Sequence, residues 1–165
     1  MKIDYRLSKK TDLPLLTEIY NQAIRTKACT CDTEELTCED RLSWLEDHDN
    51  EKYPLYTCLV DDEIAGYIYL TPYRKGRQAL DRVAEVSYYF DSKFHSKGLG
   101  SKSLAFITEE AKKRNIEILI AILLGCNEKS IGLLKKYGFE EWGRMPEFAL
   151  LNGNLEDHLY LGKKI

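Results

Sequence analysis

The stretch EVSYYFDSKFHSKGLGSKS, residues Glu85 to Ser103, sets the architecture of the chain. Val86, Tyr88 and Phe90 alternate with Glu85, Ser87 and Tyr89, and aromatic and β-branched residues at period two suit a strand. Asp91 and Ser92 interrupt that pattern. A basic loop with two glycines follows, His95-Ser96-Lys97-Gly98-Leu99-Gly100, and then Leu104, Ile107 and Ala111 recur at helical spacing. A strand, a glycine loop and a helix start in succession make an anion site. The first N–H groups of a helix lack partners, and the helix dipole is positive there. Glycine lets the backbone approach a phosphate with no Cβ in the way.

Three phosphate-bearing ligands use loops of this kind. A nucleoside-triphosphate loop of the G-x-x-x-x-G-K-[ST] type needs a glycine where His95 stands, and here Ser101 precedes Lys102. A dinucleotide loop needs a third glycine and an acidic residue about 20 positions on. The next apolar run, IEILIAILL, ends without that acid. The third ligand is the pyrophosphate of coenzyme A.

Outward from this stretch, the totals narrow the class. The chain has 165 residues, 44% of them hydrophobic, which suits one domain with its own core, spanning residues 1–165. A net charge of -3 argues against nucleic acid as the main partner. The amino terminus, MKIDYR, has no apolar signal core, and the longest apolar run, Ile118 to Leu124, is far below the roughly 20 residues of a membrane helix. A cytoplasmic protein with no membrane partner is expected. The five cysteines, Cys29, Cys31, Cys38, Cys58 and Cys126, contain no C-x-x-C pair and no nearby histidine, so no metal site is expected and the thiols read as reduced.

In chain order, Lys2 to Arg6 reads as a strand. Thr11 or Asp12 caps a helix with Pro14 in its first turn and Leu13, Leu16, Ile19, Tyr20, Ala23 and Ile24 on one face. Thr26 to Leu36 is a polar loop. Thr37 and Asp40 have capping-box spacing before a second helix carrying Leu42, Trp44 and Leu45. Leu55 to Val60 and Glu63 to Thr71 are strands joined at Asp61-Asp62. Pro72 to Arg82 is a basic loop, and strand four covers Val83 to Phe90. After the glycine loop, the third helix stops near Arg114-Asn115. Ile116 to Leu124 is apolar throughout, as in a strand covered on both faces and paired in parallel. Asn127 or Glu128 opens a fourth helix that Gly138 ends. Glu140 to Phe148 and Leu155 to Leu161 are final strands around a turn at Asn152-Gly153-Asn154. The order is βααβββαβαββ, an α/β fold.

Two motifs then carry a resemblance. H-S-K-G-L-G is similar to the [R/Q]-x-x-G-x-[G/A] signature of the GNAT superfamily of N-acetyltransferases. NEKSIGLLKKYGF, from Asn127 to Phe139, is similar to a second segment of that superfamily, with Asn127, Ser130, Ile131, Leu133, Lys136, Gly138 and Phe139 in register. Glu18-Ile19-Tyr20-Asn21, Trp44, Tyr53-Pro54, Gly66-Tyr67, Tyr73-Arg74, Glu85-x-Ser87-x-Tyr89 and Trp142-Gly143 resemble the phosphinothricin acetyltransferase-like branch. The resemblance covers nearly the whole chain and is weakest at the carboxy terminus. It implies a mixed, mostly antiparallel central sheet in which a parallel pair, strands four and five, splays apart. It implies acetyl-CoA as co-substrate, with the pantetheine arm against Tyr88, Tyr89 and Phe90 and the pyrophosphate on backbone N–H groups along His95, Ser96, Lys97, Gly98, Leu99, Gly100 and Ser101. Asn127 and Ser130 would touch the cofactor from the other side. The acceptor implied is a small-molecule amine, in particular an amino acid or an analogue such as phosphinothricin or methionine sulfoximine. Polyamines, aminoglycosides and protein N-termini remain open, as does a coenzyme A-binding module with little catalysis. Members of the branch are often homodimers.

The chain departs from the pattern twice. His95 stands where Arg or Gln is usual, at the loop edge. Leu134 stands where the superfamily often has Tyr and this branch often His, the group that gives a proton to the departing thiolate. Glu85, which matches the branch's glutamate, is the candidate base for the amine. Tyr137 is a substitute acid one turn beyond Leu134, and its other reading is a packed helix end. A strand-four N–H near Tyr89 or Phe90 is the expected oxyanion donor. Arg74 is the candidate for a substrate carboxylate, with Arg77 and Arg82 behind it. Trp44, Tyr67 and Tyr69 read as core aromatics with a pocket role left open.

Overall fold

The computed structural model describes residues 1–165. Its elements are β1 (Ile3–Leu7), α1 (Leu13–Arg25), α2 (Cys38–Glu46), β2 (Leu55–Val60), β3 (Glu63–Pro72), β4 (Val83–Phe90), α3 (Leu99–Lys112), β5 (Ile118–Leu124), α4 (Glu128–Lys136), β6 (Glu140–Leu151) and β7 (Asn154–Lys164). That succession is the one expected. The seven strands form one sheet in the order β1-β2-β3-β4-β5-β7-β6. Only β4 and β5 run parallel; the other neighbours are antiparallel.

Local chemistry accounts for most boundaries. Thr37 caps α2 as a capping box: its hydroxyl accepts from Asp40 N–H, and the Asp40 carboxylate accepts from Thr37 N–H at 2.7 Å. Asp12 precedes α1 but does not cap it through its side chain. Arg6 takes that carboxylate in a two-pronged pair at 2.7 and 2.8 Å; the fixed fork of a guanidinium fits a carboxylate better than a single N–H does. Burial pushes the Asp12 carboxyl up, but Arg6, Lys9 N–H and Thr57 outweigh it and hold it below its ordinary range. β6 and β7 extend past the expected Phe148 and Leu161. Asn152 and Gly153 both have positive φ, 50° and 84°, and Leu151 pairs with Asn154. A two-residue turn of this hand matches strand twist and prolongs the hairpin, so Asn154 belongs to the strand and not to the turn.

The sheet has a core on each face. One face carries Tyr56, Cys58, Ile68, Leu70, Ala84, Val86, Leu119 and Ala121 against Leu99, Leu104, Ile107 and Ala111 of α3 and Leu134 of α4. The other carries Leu55 and Tyr67 against Leu16 and Ile19 of α1, with Trp44, Tyr69 and Tyr89 beside them. The smaller core also holds a guanidinium. Arg41 is buried, lies 4.0 Å from the centre of the Trp44 ring and 4.5 Å from that of Tyr20, and donates to Leu16 O and the Tyr67 hydroxyl.

Candidate functional site

β4 and β5 pair at three positions only: Val83 with Ile118, Ala84 with Leu119 and Glu85 with Ile120. Beyond Glu85 the two strands follow different partners. β4 stays on β3 as far as Phe90 opposite Gly66, and β5 stays on β7 as far as Leu124 opposite His158. The parallel pair therefore opens into a wedge whose apex is Glu85.

Which backbone groups face the wedge follows from ladder parity. Asp91 N–H donates to Ala65 O at 2.9 Å, just past the end of β4. In an antiparallel ladder, alternate residues point their N–H and C=O at the partner, and β3 and β4 pair without a bulge. Tyr89, Ser87 and Glu85 are thus turned toward β3. The N–H groups of Tyr88 and Phe90 are turned toward the gap, where β5 no longer meets them. Of the two strand-four donors expected near Tyr89 or Phe90, the ladder uses Tyr89 for β3.

A cavity of about 390 Å³ fills the wedge. Residues of both sheet faces line it: Val86, Tyr88, Phe90 and Ala121 on the α3/α4 side, Ser87, Tyr89 and Ile122 on the α1/α2 side. The opening thus passes through the sheet. Of the residues expected to hold the cofactor, Tyr88, Tyr89, Phe90, His95, Ser96, Gly98, Leu99, Gly100, Ser101, Asn127 and Ser130 line the cavity. Lys97 does not; its ammonium lies 5.0 Å from the centre of the Phe94 ring. At the mouth, Gly98 is the N-cap of α3 with φ of 75° and no side-chain cap. The first bond inside the helix is Lys102 N–H to Gly98 O, which leaves the N–H groups of Leu99, Gly100 and Ser101 for a ligand. His95 folds back, its Nε2 donating to Phe90 O at 3.0 Å. Buried Asn127 caps α4 through its side-chain oxygen, which accepts from Ser130 N–H, so its amide NH2 is left for the cavity. Open N–H groups at one end and an unpaired strand edge along one side fit a long polyamide with an anionic end.

Glu85 is half-buried and has no ion pair. Arg82, three residues before it, binds Glu117 at 2.6 Å. Burial raises the Glu85 carboxyl above the usual glutamate range. Its side chain shares the α1/α2 face with Thr71, its partner on β3. Glu85 does not line the wedge cavity itself; Val86 and Ser87 beside it do. Arg74 is exposed on the β3–β4 loop and lines neither this cavity nor a second one of about 370 Å³ beside Thr71 and His48. Tyr137 is the C-cap of α4, packed on the larger core and outside the cavity lining. Leu134 lines the cavity from α4. Trp44 and Tyr67 face Arg41, and Tyr69 meets Trp44 edge-on, behind the wall that Tyr89 forms. The sequence did not single out Gln22 of α1 or Thr26 and Cys29 of the loop after it as site residues, yet they close the α1/α2 side of the opening; a polar loop gives no periodic signal of where it folds back.

Comparisons with known proteins agree with this geometry. Residues 6–160 match a family model described as an acetyltransferase (GNAT) domain. A Bacillus subtilis protein provisionally named a phosphinothricin acetyltransferase is 37% identical over 97% of this chain and 98% of its own length. The L-methionine sulfoximine/L-methionine sulfone acetyltransferase of Salmonella typhimurium is 26% identical over 94% of this chain and 91% of its own. A solved Salmonella typhimurium structure, provisionally named an acetyltransferase and determined with its cofactor acetyl-CoA, superposes with a TM-score of 0.89. It is 25% identical and covers 98% of this chain and 93% of that one.

Proposed function

The chain belongs to the GNAT family of acetyltransferases, and from that premise we propose that this N-acetyltransferase acts on the amino group of a small amino-acid analogue of the phosphinothricin or methionine sulfoximine kind. The observation that carries the reading is the opening that passes through the sheet with Glu85 at its apex. It supports a cofactor arm entering from the α3/α4 side and an acceptor from the α1/α2 side. Acetyl-CoA supplies the acetyl group as a thioester. The chain's own residues do the rest. The N–H groups of Leu99, Gly100 and Ser101 hold the diphosphate, with Asn127 and Ser130 across the cavity. The gap-facing N–H of Tyr88 or Phe90 takes the charge that develops on the carbonyl oxygen, a fixed donor that needs no reorganisation.

An attacking amine must be neutral. Glu85 takes its proton, directly or through one water, and burial sets this carboxyl closer to the pH at which the amine is used. Arg74 binds the acceptor carboxylate once the β3–β4 loop folds over it. The test is thiol release from acetyl-CoA over a panel of phosphinothricin, methionine sulfoximine, free amino acids, a polyamine, an aminoglycoside and an N-terminal peptide. Turnover is expected with the amino-acid analogues, and Arg74→Ala should raise their KM about 10-fold, the worth of one charged hydrogen-bonded pair. Turnover confined to the polyamine would contradict the acceptor class.

No helix is long and apolar enough to cross a membrane. All five cysteines are unpaired, which supports a reducing cytoplasmic setting. A homodimer has support at β6, the edge of the sheet. Phe148, Leu150 and Leu155 are exposed there, and Leu150 pairs with Leu155; an apolar edge strand invites a second copy.

A further inference from the structure

The base proposed above stands behind the cavity wall. Glu85 does not line the wedge, whereas Ser87, two residues on along the same face of β4, does. Same-face neighbours on a strand are about 7 Å apart, so an amine in the wedge meets Ser87 before it meets Glu85. Burial alone acts on the Glu85 carboxyl; no donor of the protein already occupies it.

Tyr69 of β3 spans the distance between the two. It pairs directly with Ser87, and Glu85, which pairs with Thr71, is its diagonal neighbour. Directly opposed residues have Cβ atoms about 4.5–5.5 Å apart, and diagonal ones lie about 7–8 Å apart, within reach of an aromatic side chain. The Tyr69 ring is held in place. It meets Trp44 and His48 edge-on, each with centroids 5.5 Å apart, and stacks on Tyr67 at 6.0 Å. The surroundings of its hydroxyl show which groups it stands beside. Burial pushes that hydroxyl up, the Ser87 hydroxyl opposes the rise, and the Glu85 charge adds to it. The polar side-chain atoms sealed from solvent without a partner belong to Thr17, Tyr88, Arg114 and His158. Ser87, Tyr69 and Glu85 are not among them.

From this register we infer that Ser87 is a catalytic residue: its hydroxyl takes the proton of the acceptor amine and hands its own to Glu85 by way of the Tyr69 hydroxyl. Tyr69 is the positioning residue of the pair. The inference rests on the acetyltransferase reading of the wedge and deepens it, because it gives the buried base a path to the amine.

The step balances. The amine nitrogen forms the new C–N bond, and its proton moves to the Ser87 oxygen. The Ser87 proton moves to the Tyr69 oxygen and the Tyr69 proton to the Glu85 carboxylate, so each hydroxyl ends as it began. The C–S bond breaks with its electron pair on sulfur, and the thiolate takes a proton from water. Glu85 returns its proton to solvent before the next turnover.

The experiment compares two acceptors in the intact protein, in Ser87→Ala, in Ser87→Thr and in Tyr69→Phe. One acceptor is methionine sulfoximine, whose amine is protonated at neutral pH. The other is its α-aminooxy analogue, whose nitrogen is already neutral there and needs little help from a base. With methionine sulfoximine, Ser87→Ala should lower kcat about 30-fold, less than a lost base costs, because water can stand in for the hydroxyl. Tyr69→Phe should lower it about 10-fold, on the same reasoning. Ser87→Thr keeps a hydroxyl and should recover most of the loss. With the aminooxy analogue, both losses should shrink to less than about 3-fold, since the proton path no longer limits the rate. The acetyl-CoA Kd should stay the same throughout. Equal losses with the two acceptors would overturn the inference and make Ser87 and Tyr69 packing residues, as would unchanged kcat in Ser87→Ala. A wild-type protein that binds acetyl-CoA yet acetylates neither acceptor would overturn the acetyltransferase reading and the relay with it. Wild-type turnover with unmoved variants would overturn the relay alone.

Discussion

The two sides of the wedge are built from different materials. On the α3/α4 side, the groups offered to a ligand are mostly backbone: the N–H groups of Leu99, Gly100 and Ser101 at a helix start, and those of Tyr88 and Phe90 along an unpaired strand edge. On the α1/α2 side they are side chains: Ser87, Ile122 and the loop residues Thr26 and Cys29, with Glu85 behind the lining at the apex. A backbone site serves a ligand common to a whole family, because it needs only the fold and two glycines. A side-chain site can change its ligand while the fold stays still. Cofactor use should therefore survive most single side-chain losses, and acceptor chemistry should not.

The largest effect that would sharpen this contrast is at the apex. Glu85→Gln should lower kcat by about 100-fold or more, within the usual range for a lost general base, and leave the acetyl-CoA Kd unchanged. The pH profile gives a second readout. As the proposed base Glu85 works deprotonated, and burial raises its pKa, so wild-type kcat should fall on the acid side through a midpoint above that of an ordinary glutamate. In Glu85→Gln that limb should vanish. A variant with wild-type turnover from pH 6 to 9 would remove Glu85 from the chemistry.

Next in size is a paired substitution on the backbone side. Proline is tolerated in the first turn of a helix but carries no N–H. Ser101→Pro should weaken acetyl-CoA binding about 10-fold, the cost of one donor to a charged group, and Ser101→Ala by less than about 2-fold. Calorimetry on both variants reads the difference. Equal losses would mean that the hydroxyl holds the diphosphate, and the contrast between the two sides would break. The smallest effect is at Lys97, which points to Phe94 and not into the cavity. Lys97→Ala should change the Kd by less than about 3-fold, with the loss shrinking as salt is added, as for an exposed charge.

This contrast also explains what the sequence made legible. The glycine loop and the Asn127 segment stand out because a backbone site demands particular residues at particular spacings. All of that loop except Lys97 lines the cavity. The succession of elements was readable too, since each strand and helix carries its own period. The point at which β4 and β5 part was not. Both strands stay apolar past Glu85 and Ile120, and nothing in either run marks where pairing stops. Parity was hidden for the same reason: the bonds of Asp91 to Ala65 and of Tyr73 to Val83 reveal that Tyr88 and Phe90, not Tyr89, face the gap. On the acceptor side, no motif or period in the sequence sets Arg41 apart. Its burial among Tyr20, Trp44 and Tyr67 is a tertiary fact. Arg74 reads as a carboxylate partner and lies exposed on its loop; a loop's own residues carry no period that states which way it folds.

Residue-resolved amide exchange along β4, with and without acetyl-CoA, puts the open wedge to its most direct trial. In the free protein, Tyr88 and Phe90 N–H should exchange faster than Ser87 and Tyr89 N–H, which β3 holds, and acetyl-CoA should slow Tyr88 and Phe90 alone. Equal protection at all four amides before ligand, or no slowing at Tyr88 and Phe90 after it, would mean that this strand edge is closed and the cofactor arm lies elsewhere.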